Sequence, residues 1–219
     1  MVSLTMIISL AALCLIGLTY VVYPLWQLTF PGRPIDFTGA FTPPSVCIVF
    51  AAYNEASIIE AKIRSIYNTR YPIDRVSVWI GSDLSTDGTD DIIRELQHEF
   101  PQLHLHVNER RSGKSATINA LVDQTDAEVI IATDANILFK EATIEELVRP
   151  IALQIATAVA GTLAYEAGGV SNSTASNEKA YLSIENLIRR AESRKHGICF
   201  GMEGGLYSMR KSFWQPIPP

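Results

Sequence analysis

The first 32 residues of the 219-residue chain contain no Asp, Glu, Lys or Arg, although the whole chain has 18 basic and 23 acidic side chains. Within this uncharged start, residues 2–23 are apolar or aromatic apart from scattered Ser, Thr, Gly and one Cys. As a helix they would be about 33 Å long, which is enough to cross a hydrocarbon core of about 30 Å. The sequence therefore predicts a transmembrane helix at residues 2–24.

Two other interpretations of this segment stay open, a cleaved signal peptide and a buried core helix. A signal peptide has a Lys or Arg near its start and an apolar stretch of about 7 to 15 residues, and the segment has neither feature. Tyr20, Tyr23 and Trp26 are typical of a helix that leaves a bilayer. Arg33 is the first positive charge, so the positive-inside rule places the rest of the chain in the cytoplasm.

Cysteine and basic charge are also scarce. The three cysteines, Cys14, Cys47 and Cys199, have no spacing that indicates disulfide pairs, and we interpret them as small buried side chains of a protein in a reducing compartment. The net charge of −5 provides no general basic surface, so we expect no nucleic-acid partner. A hydrophobic content of 47% excludes an intrinsically disordered chain.

After a linker at residues 25–44, which is rich in Pro and Gly from residue 31 onward, apolar runs alternate with helical patterns. The apolar runs are at residues 46–52, 76–81, 103–107, 129–133 and 156–163. Apolar residues at spacings of three and four are found at residues 55–67, 89–100, 114–124, 143–153 and 177–195. Strands that alternate with helices indicate crossover connections, so we predict an α/β domain with a mainly parallel sheet at residues 45–219.

Polar side chains follow the first four predicted strands. They are Tyr53 and Glu55, then Asp83, then Lys114, then Asp134 and Asn136. In parallel sheets, ligands bind beyond the carboxyl ends of the strands. Carboxylates there suit a ribose, a uracil edge or a divalent cation, and a lysine at the start of a helix suits phosphate. We therefore predict a nucleotide and metal site at this edge of the sheet.

Parts of this pattern also fit a helix start or another class of nucleotide-binding protein. Asn54 and Glu55 taken alone also fit a helix start, and Asp90 and Asp91 fit the first turn of a helix. Residues 112–115, with the sequence SGKS, imitate the phosphate loop of a nucleotide triphosphatase. That loop needs a glycine five residues before Gly113, where this chain has Asn108, so the pattern disfavours this class.

Five segments together point to one known family. They are VCIVFAAYNE, VWIGSDLSTDGT, RSGKSATINAL, IIATDANILF and GMEGGLYSMRK, and they cover about residues 44–215. In order and spacing they resemble the family 2 glycosyltransferases with the GT-A fold, particularly the membrane polysaccharide synthases for cellulose, chitin, hyaluronan and poly-N-acetylglucosamine. The resemblance implies an inverting transfer of a sugar from a nucleotide diphosphate sugar, usually a UDP sugar, to a glycan or other hydroxyl acceptor. It also implies a role in exopolysaccharide or cell-envelope glycan synthesis.

The resemblance also implies roles for individual residues. The nucleotide-sugar-binding residues would be Ala51, Tyr53, Glu55, Asp83, Lys114 and Asp134, with Asn119 in a supporting place. Asp134 and Asn136 would hold Mg²⁺ or Mn²⁺. Asn136 stands where a second Asp is usual, so we expect weaker metal binding, because an amide oxygen is neutral. Glu203, Gly204 and Gly205 would lie on the acceptor side.

In the resembled family the general base is an Asp, which would lie beyond Pro219, and no catalytic residue is assigned within the chain. We therefore expect the donor-binding part of a longer enzyme in a cell membrane, most simply the bacterial inner membrane, with its catalytic domain in the cytoplasm and the lipid bilayer as a partner. The alternative is a truncated or degenerate, non-catalytic nucleotide-sugar-binding membrane module.

Overall fold

The computed structural model describes residues 3–30, 32, 34–162, 173–197 and 205–218, and for residues 173–184 it describes the backbone only. The chain divides into two compact units, one from residues 1–36 and 164–201 and the other from residues 37–163 and 202–219. Cys199, Glu203 and Gly204 lie outside the described residues, so the predictions made for them stay predictions.

The first unit begins with one continuous 26-residue helix, Leu4–Thr29. It consists of α1 (Leu4–Gly17), a π-helical turn (Leu18–Val22) and α2 (Tyr23–Thr29). Its most apolar window has a mean hydropathy of 2.3 and no buried residues, so the helix is long and apolar enough to cross a membrane.

This helix continues five residues past the predicted boundary at residue 24. Leu25, Trp26 and Leu28 extend the apolar run, and Pro24 lies in the first turn of α2, where its missing N–H is tolerated. Cys14 lies exposed on this helix, so the prediction that it is buried is wrong; Cys47, in the second unit, is buried as predicted.

The other described element of the first unit is α7 (Ser173–His196), which starts four residues before the predicted helix. It contacts α2 near the end of the apolar helix. The hydroxyl of Tyr23 donates to the carboxylate of Glu192, and the amine of Lys195 lies 4.6 Å from the ring centroid of Trp26. The basic end of α7 is therefore next to the aromatic end of the apolar helix.

The second unit is built on a six-stranded sheet with the order β3-β2-β1-β4-β6-β5. The strands are β1 (Val46–Ala52), β2 (Val76–Ser82), β3 (Leu103–Val107), β4 (Val129–Thr133), β5 (Ala158–Ala160) and β6 (Leu206–Arg210). The first four are parallel, and β6 is antiparallel to β4 and β5. The predicted mainly parallel α/β sheet is confirmed, although β5 is shorter than predicted and β6 was not predicted as a strand.

Helices cover both faces of this sheet. They are α3 (Ile59–Tyr67), α4 (Thr89–Glu99), α5 (Gly113–Val122) and α6 (Thr143–Ala152). The larger apolar cluster packs α3, α4 and α6 against one face, and the smaller cluster packs α5 and the segment after β6 against the other. Because alternate residues of β1 belong to opposite clusters, both of its faces are buried, as expected of a central parallel strand.

Candidate active site

A cavity of about 380 Å³ opens at the carboxyl ends of β1, β2 and β4 and at the start of α5. It is lined by Ala51, Ala52, Tyr53, Glu55, Asp83, Arg111, Gly113, Lys114, Asp134, Ala135 and Asn136. The structure thus brings together all six predicted nucleotide-sugar residues and both predicted metal ligands. Gly205 is adjacent, because its carbonyl accepts a hydrogen bond from the amide of Asp134 at 2.9 Å.

The loop after β1 is braced by the loop after β2. Asn54 has a positive φ of 56°, and its side-chain oxygen accepts a hydrogen bond from the amide of Thr86 at 2.8 Å. The amide of Glu55 donates to the hydroxyl of Thr89 at 2.9 Å. These contacts keep Tyr53 and Glu55 out of α3, which begins only at Ile59, and leave both residues on the cavity wall.

Asp83 is 5% exposed, and its carboxylate accepts four hydrogen bonds from the segment before α5 and its first residue. Oδ1 accepts from Nδ2 of Asn108 at 2.9 Å and from the amide of Ser112 at 2.7 Å. Oδ2 accepts from the amide of Gly113 at 3.1 Å and from Nε of Arg111 at 3.2 Å. Burial acts to raise the pKa of Asp83, but these hydrogen bonds outweigh it and hold the pKa below its ordinary value.

The ionised carboxylate of Asp83 therefore organises the segment that leads into α5. The sequence predicted that Asp83 would bind the nucleotide sugar, and the structure adds that groups of the chain itself donate to both of its carboxylate oxygens. Contact with a nucleotide stays a prediction. Any such contact has to use a lone pair that these four donors leave open.

Arg111 was missed as a site residue in the sequence. Its guanidinium carbon lies 3.6 Å from the ring centroid of Tyr53, whose side chain is partly exposed in the cavity. A planar cation stacked on an aromatic ring provides a flat surface of the kind that nucleobases stack on. Arg110 and Arg111 are adjacent and identical in the sequence, so only the fold distinguishes the one that faces Tyr53.

Lys114 is the second residue of α5, and its amine forms an ion pair with Oδ1 of Asp134. The two side chains are 49% and 37% exposed, so solvent screens the pair and it contributes little to stability. Phosphate oxygens can replace Asp134 as the partner of Lys114, because the N-terminus of α5 also attracts anions. The arrangement therefore suits a diphosphate between Lys114 and Asp134.

Asp134 and Asn136 offer one carboxylate and one amide oxygen to the cavity. Within the part of the chain that the structure describes, no group of three His, Cys, Asp or Glu side chains could hold a metal ion by itself. Mg²⁺ and similar hard cations are often bound by one or two carboxylates together with substrate phosphates and water. The residues present thus fit a divalent cation that takes most of its ligands from a bound diphosphate.

A mainly parallel sheet whose loops bring carboxylates and a helix-starting lysine into one cavity defines an α/β protein with a GT-A-like fold. The sequence profile described as "Glycosyl transferase family 2" matches residues 47–215. This match covers most of the chain, so the chain belongs to glycosyl transferase family 2.

Known proteins with similar sequences include the beta-monoglucosyldiacylglycerol synthase of a Synechocystis strain, which is 36% identical over 98 residues, 42% of this chain and 20% of that protein. The probable glycosyltransferase YdaM of Bacillus subtilis is 27% identical over 96 residues, 42% of this chain and 23% of that protein. The chain thus matches only about a fifth of the length of these relatives. These matches support the family but not the polysaccharide synthase branch.

Solved structures support the same fold. The mannosyltransferase PcManGT from Pyrobaculum calidifontis, in complex with GDP-Man and Mn²⁺, has a TM-score of 0.67 and 26% identity over 90% of this chain and 55% of that chain. TarS 1-349 of S. aureus in complex with UDP-GlcNAc has a TM-score of 0.52 and 19% identity over 59% of this chain and 37% of that chain, and this likeness concerns the fold alone.

Proposed function

We propose that the protein is a membrane-anchored glycosyltransferase that binds a nucleotide diphosphate sugar in the 380 Å³ cavity and transfers the sugar, with inversion, to an acceptor hydroxyl. The observation that carries this proposal is the convergence of Asp83, Lys114, Asp134 and Asn136 on one cavity, from the loops after β2 and β4 and the start of α5. The donor is a UDP sugar, as the family resemblance implies, or a GDP sugar, because the PcManGT complex contains GDP-Man.

In this proposal, different residues of the cavity bind the nucleobase and the diphosphate of the donor. Tyr53 and Arg111 form the flat surface on which the nucleobase stacks. Lys114 and the N-terminus of α5 hold the diphosphate, and they stabilise its charge as it leaves the sugar. Asp83 keeps the segment that carries Arg111 and Gly113 in place. The chain thus positions the donor.

Asp134 and Asn136 are the residues that would hold Mg²⁺ or Mn²⁺ against the diphosphate. A bound divalent cation would neutralise part of the charge on the leaving diphosphate. The support for a cation is the oxygen-donor set of the cavity and the Mn²⁺ in the PcManGT complex. Melting temperatures with nucleotide in Mg²⁺ and in Mn²⁺ distinguish the two metals.

The sequence favours a growing glycan as the acceptor, in exopolysaccharide or envelope glycan synthesis. A second candidate is a membrane-lipid hydroxyl, which is favoured by the 36% identity to a beta-monoglucosyldiacylglycerol synthase. The two are distinguished by supplying the whole protein with radiolabelled UDP-glucose and either diacylglycerol vesicles or an oligosaccharide. Label in the organic phase identifies a lipid acceptor, and label in the aqueous glycan fraction identifies a glycan.

We also propose that the helix Leu4–Thr29 anchors the protein in the cell membrane with the catalytic domain in the cytoplasm. Two observations support this: the most apolar window of the helix has no buried residues, and the basic end of α7 lies beside Trp26 at the end of the helix. Arg190 and Arg194 are exposed in the same part of α7, where cytoplasmic anionic headgroups would attract them. Extraction of the full chain from membranes by alkaline carbonate would contradict the anchor.

Nucleotide binding is tested with the full chain in detergent, by its melting temperature with UDP or GDP in the presence of Mn²⁺, Mg²⁺ or EDTA. We expect a metal-dependent rise with at least one nucleotide, and loss of that rise in Asp83→Ala. Because Asp83 also holds a loop, Lys114→Met provides the second variant, and Lys140→Met, which changes an exposed lysine outside the cavity, is its matched control. Equal melting with and without either nucleotide would overturn the proposal.

The alternative, a non-catalytic nucleotide-sugar-binding membrane module, predicts the same binding without transfer. Release of UDP or GDP from the donor sugar, dependent on an added hydroxyl acceptor, separates the two functions when it is measured on the whole protein. Acceptor-dependent release supports the enzyme. Binding without such release over a panel of glycan and lipid acceptors supports the binding module.

A further inference from the structure

Lys62 is fully buried, with 0% exposure, on the inner face of α3. This face otherwise consists of Ile59, Ile63 and Ile66, and all three belong to the larger apolar cluster. An amine in such surroundings costs free energy unless it is hydrogen-bonded. Its partners therefore indicate why a lysine is found at a position that suits an aliphatic side chain.

The partners of Lys62 are at the two ends of one short turn. Its amine donates to the hydroxyl of Thr133 at 3.1 Å and to the carbonyl of Ile137. Thr133 is the last residue of β4, and the three residues between these two contacts are Asp134, Ala135 and Asn136. We name residues 134–136 the metal turn, because it carries both predicted metal ligands.

The rest of the surroundings holds Lys62 in this position. Its amine lies 4.1 Å from the ring centroid of Phe139, just past the metal turn. The amide of Phe139 donates to the hydroxyl of Ser65 at 3.0 Å, and that hydroxyl donates to the carbonyl of Lys62 at 2.7 Å. Helix α3 thus contacts the chain on both sides of the metal turn, and Lys62 hydrogen-bonds to the residues at both ends of this turn.

We propose that Lys62 is a positioning residue of the donor site, which fixes the metal turn from beneath so that the oxygens of Asp134 and Asn136 face the cation and diphosphate. The inference rests on the proposed function, since it assumes that the cavity binds a nucleotide diphosphate. Lys62 does not line the cavity and acts through the backbone and Thr133. The lysine thus supports a turn whose two predicted metal ligands are one carboxylate, from Asp134, and one amide, from Asn136.

This role differs from a purely structural one in what it predicts for Lys62→Met. Methionine has a similar length and suits an apolar pocket, so the variant is expected to fold, with a modest loss of stability because the hydroxyl of Thr133 and the carbonyl of Ile137 lose a donor. A merely structural lysine would change the melting temperature and leave the metal dependence of binding unaltered. A positioning lysine changes the metal-dependent part of the affinity.

The experiment is a calorimetric titration of the full chain in detergent with UDP and with GDP, each in Mn²⁺ and in EDTA. For the nucleotide that binds, we expect Lys62→Met to weaken the affinity in Mn²⁺ by about tenfold, the usual effect of losing an outer-shell partner of a metal site. In EDTA we expect the affinity to stay within about twofold of the wild type, because Lys114 and α5 are untouched. Lys140→Met, an exposed lysine just past the metal turn, is the matched control.

Thr133→Val provides a second variant, because it removes one acceptor of Lys62 with little change in shape. We expect it to weaken binding in Mn²⁺ in the same way but less, and the double variant to be no weaker than Lys62→Met alone. An unchanged Mn²⁺-dependent gain in both single variants overturns the inference, as does an equal loss in Mn²⁺ and EDTA. A wild-type chain that binds nucleotide equally with and without metal also overturns it and leaves the nucleotide site standing, whereas no binding of any nucleotide overturns the proposed function itself.

Discussion

Asn119 is joined to the backbone of Ile217 by two hydrogen bonds. Its Oδ1 accepts from the amide of Ile217 and its Nδ2 donates to the carbonyl of the same residue, both at 2.9 Å. Asn119 lies on α5, which also carries Lys114, and Trp214 and Ile217 pack against the apolar cluster on that side of the sheet. The sequence placed Asn119 in support of the diphosphate site. The structure shows that it fastens the segment after β6 to the helix that starts at that site.

We therefore expect Asn119→Ala to destabilise this segment. Two hydrogen bonds of about 1 kcal/mol each are lost, so the free energy of unfolding should fall by about 1–2 kcal/mol. Chymotryptic cleavage after Phe213 or Trp214 should also become faster, because the segment opens locally. Gln124→Ala, which removes an exposed amide just past the end of α5, is the control. Unchanged cleavage in Asn119→Ala would show that apolar packing alone holds the segment.

Gly81 of β2 packs closely against side chains of α5. A Cβ at this position would lie 2.1 Å from Cγ2 of Thr117, far inside van der Waals contact. Gly81→Ala should therefore lower the free energy of unfolding by about 1–3 kcal/mol through overpacking. It should also displace the hydroxyl of Thr117, which accepts a hydrogen bond from Asn108.

A second substitution tests this steric explanation. Thr117→Ser removes the clashing methyl group and keeps the hydroxyl that Asn108 uses, so Gly81→Ala/Thr117→Ser should recover most of the melting temperature lost in Gly81→Ala. Thermal unfolding of the two single variants and the double variant measures the coupling. Strictly additive losses would mean that the methyl group is not the obstacle.

Parts of the fold followed from the sequence because they depend on local pattern. The strands Val46–Ala52, Leu103–Val107 and Val129–Thr133 have the predicted bounds, since each is an apolar run bounded by polar or turn-forming residues. The edge where their loops converge followed from the parallel connections. Strand β6 was missed because LYSMR is short and mixed in character, and its partners β4 and β5 are distant in the sequence.

The parts of the site that were missed depend on contacts that no sequence pattern encodes. Arg111 belongs to the site because its guanidinium stacks on the ring of Tyr53, which lies on another loop. Lys62 has the spacing of an inward-facing residue between Ile59 and Ile66, and this is the signal that could have identified it. A lysine on a buried helical face indicates a polar partner inside the protein, but the partner itself is 71 residues away at Thr133.

Asn136 gives a test of how the metal turn controls cation binding. Replacing its amide by a carboxylate in Asn136→Asp adds a negative charge beside Asp134, so the Mn²⁺ concentration for half-maximal nucleotide stabilisation should fall on the order of tenfold. Melting curves at fixed nucleotide and increasing Mn²⁺ measure this concentration. Asn68→Asp adds the same charge on an exposed residue outside the cavity and should leave the Mn²⁺ requirement unchanged. Equal Mn²⁺ requirements in the wild type and Asn136→Asp would contradict a cation at this turn.

The buried amine of Lys62 should make the stability of the fold depend on pH. Burial lowers the pKa of Lys62 from 10.5 to about 7, against the opposing influence of the nearby carboxylate of Asp134. In the unfolded chain the pKa returns to its ordinary value, so between about pH 7 and 10.5 the unfolded state binds one more proton than the folded state. Stability should therefore rise with pH across this window, by up to about 1.4 kcal/mol per unit for this group.

Below pH 7 Lys62 is protonated in both the folded and the unfolded state. The free energy of unfolding is then lowered by the full cost of burying the charged amine. Other groups also titrate in the window, so the quantity to measure is the difference between the wild type and Lys62→Met, taken from melting temperatures of the full chain in detergent between pH 6 and pH 10. We expect this difference to be constant below about pH 7 and then to shift steadily in favour of the wild type as the pH rises, because methionine has no proton to release. Lys140→Met, which changes an exposed lysine outside the cavity, is the control and should follow the wild type throughout. Parallel curves for the wild type and Lys62→Met over the whole range would mean that the folded protein keeps Lys62 charged.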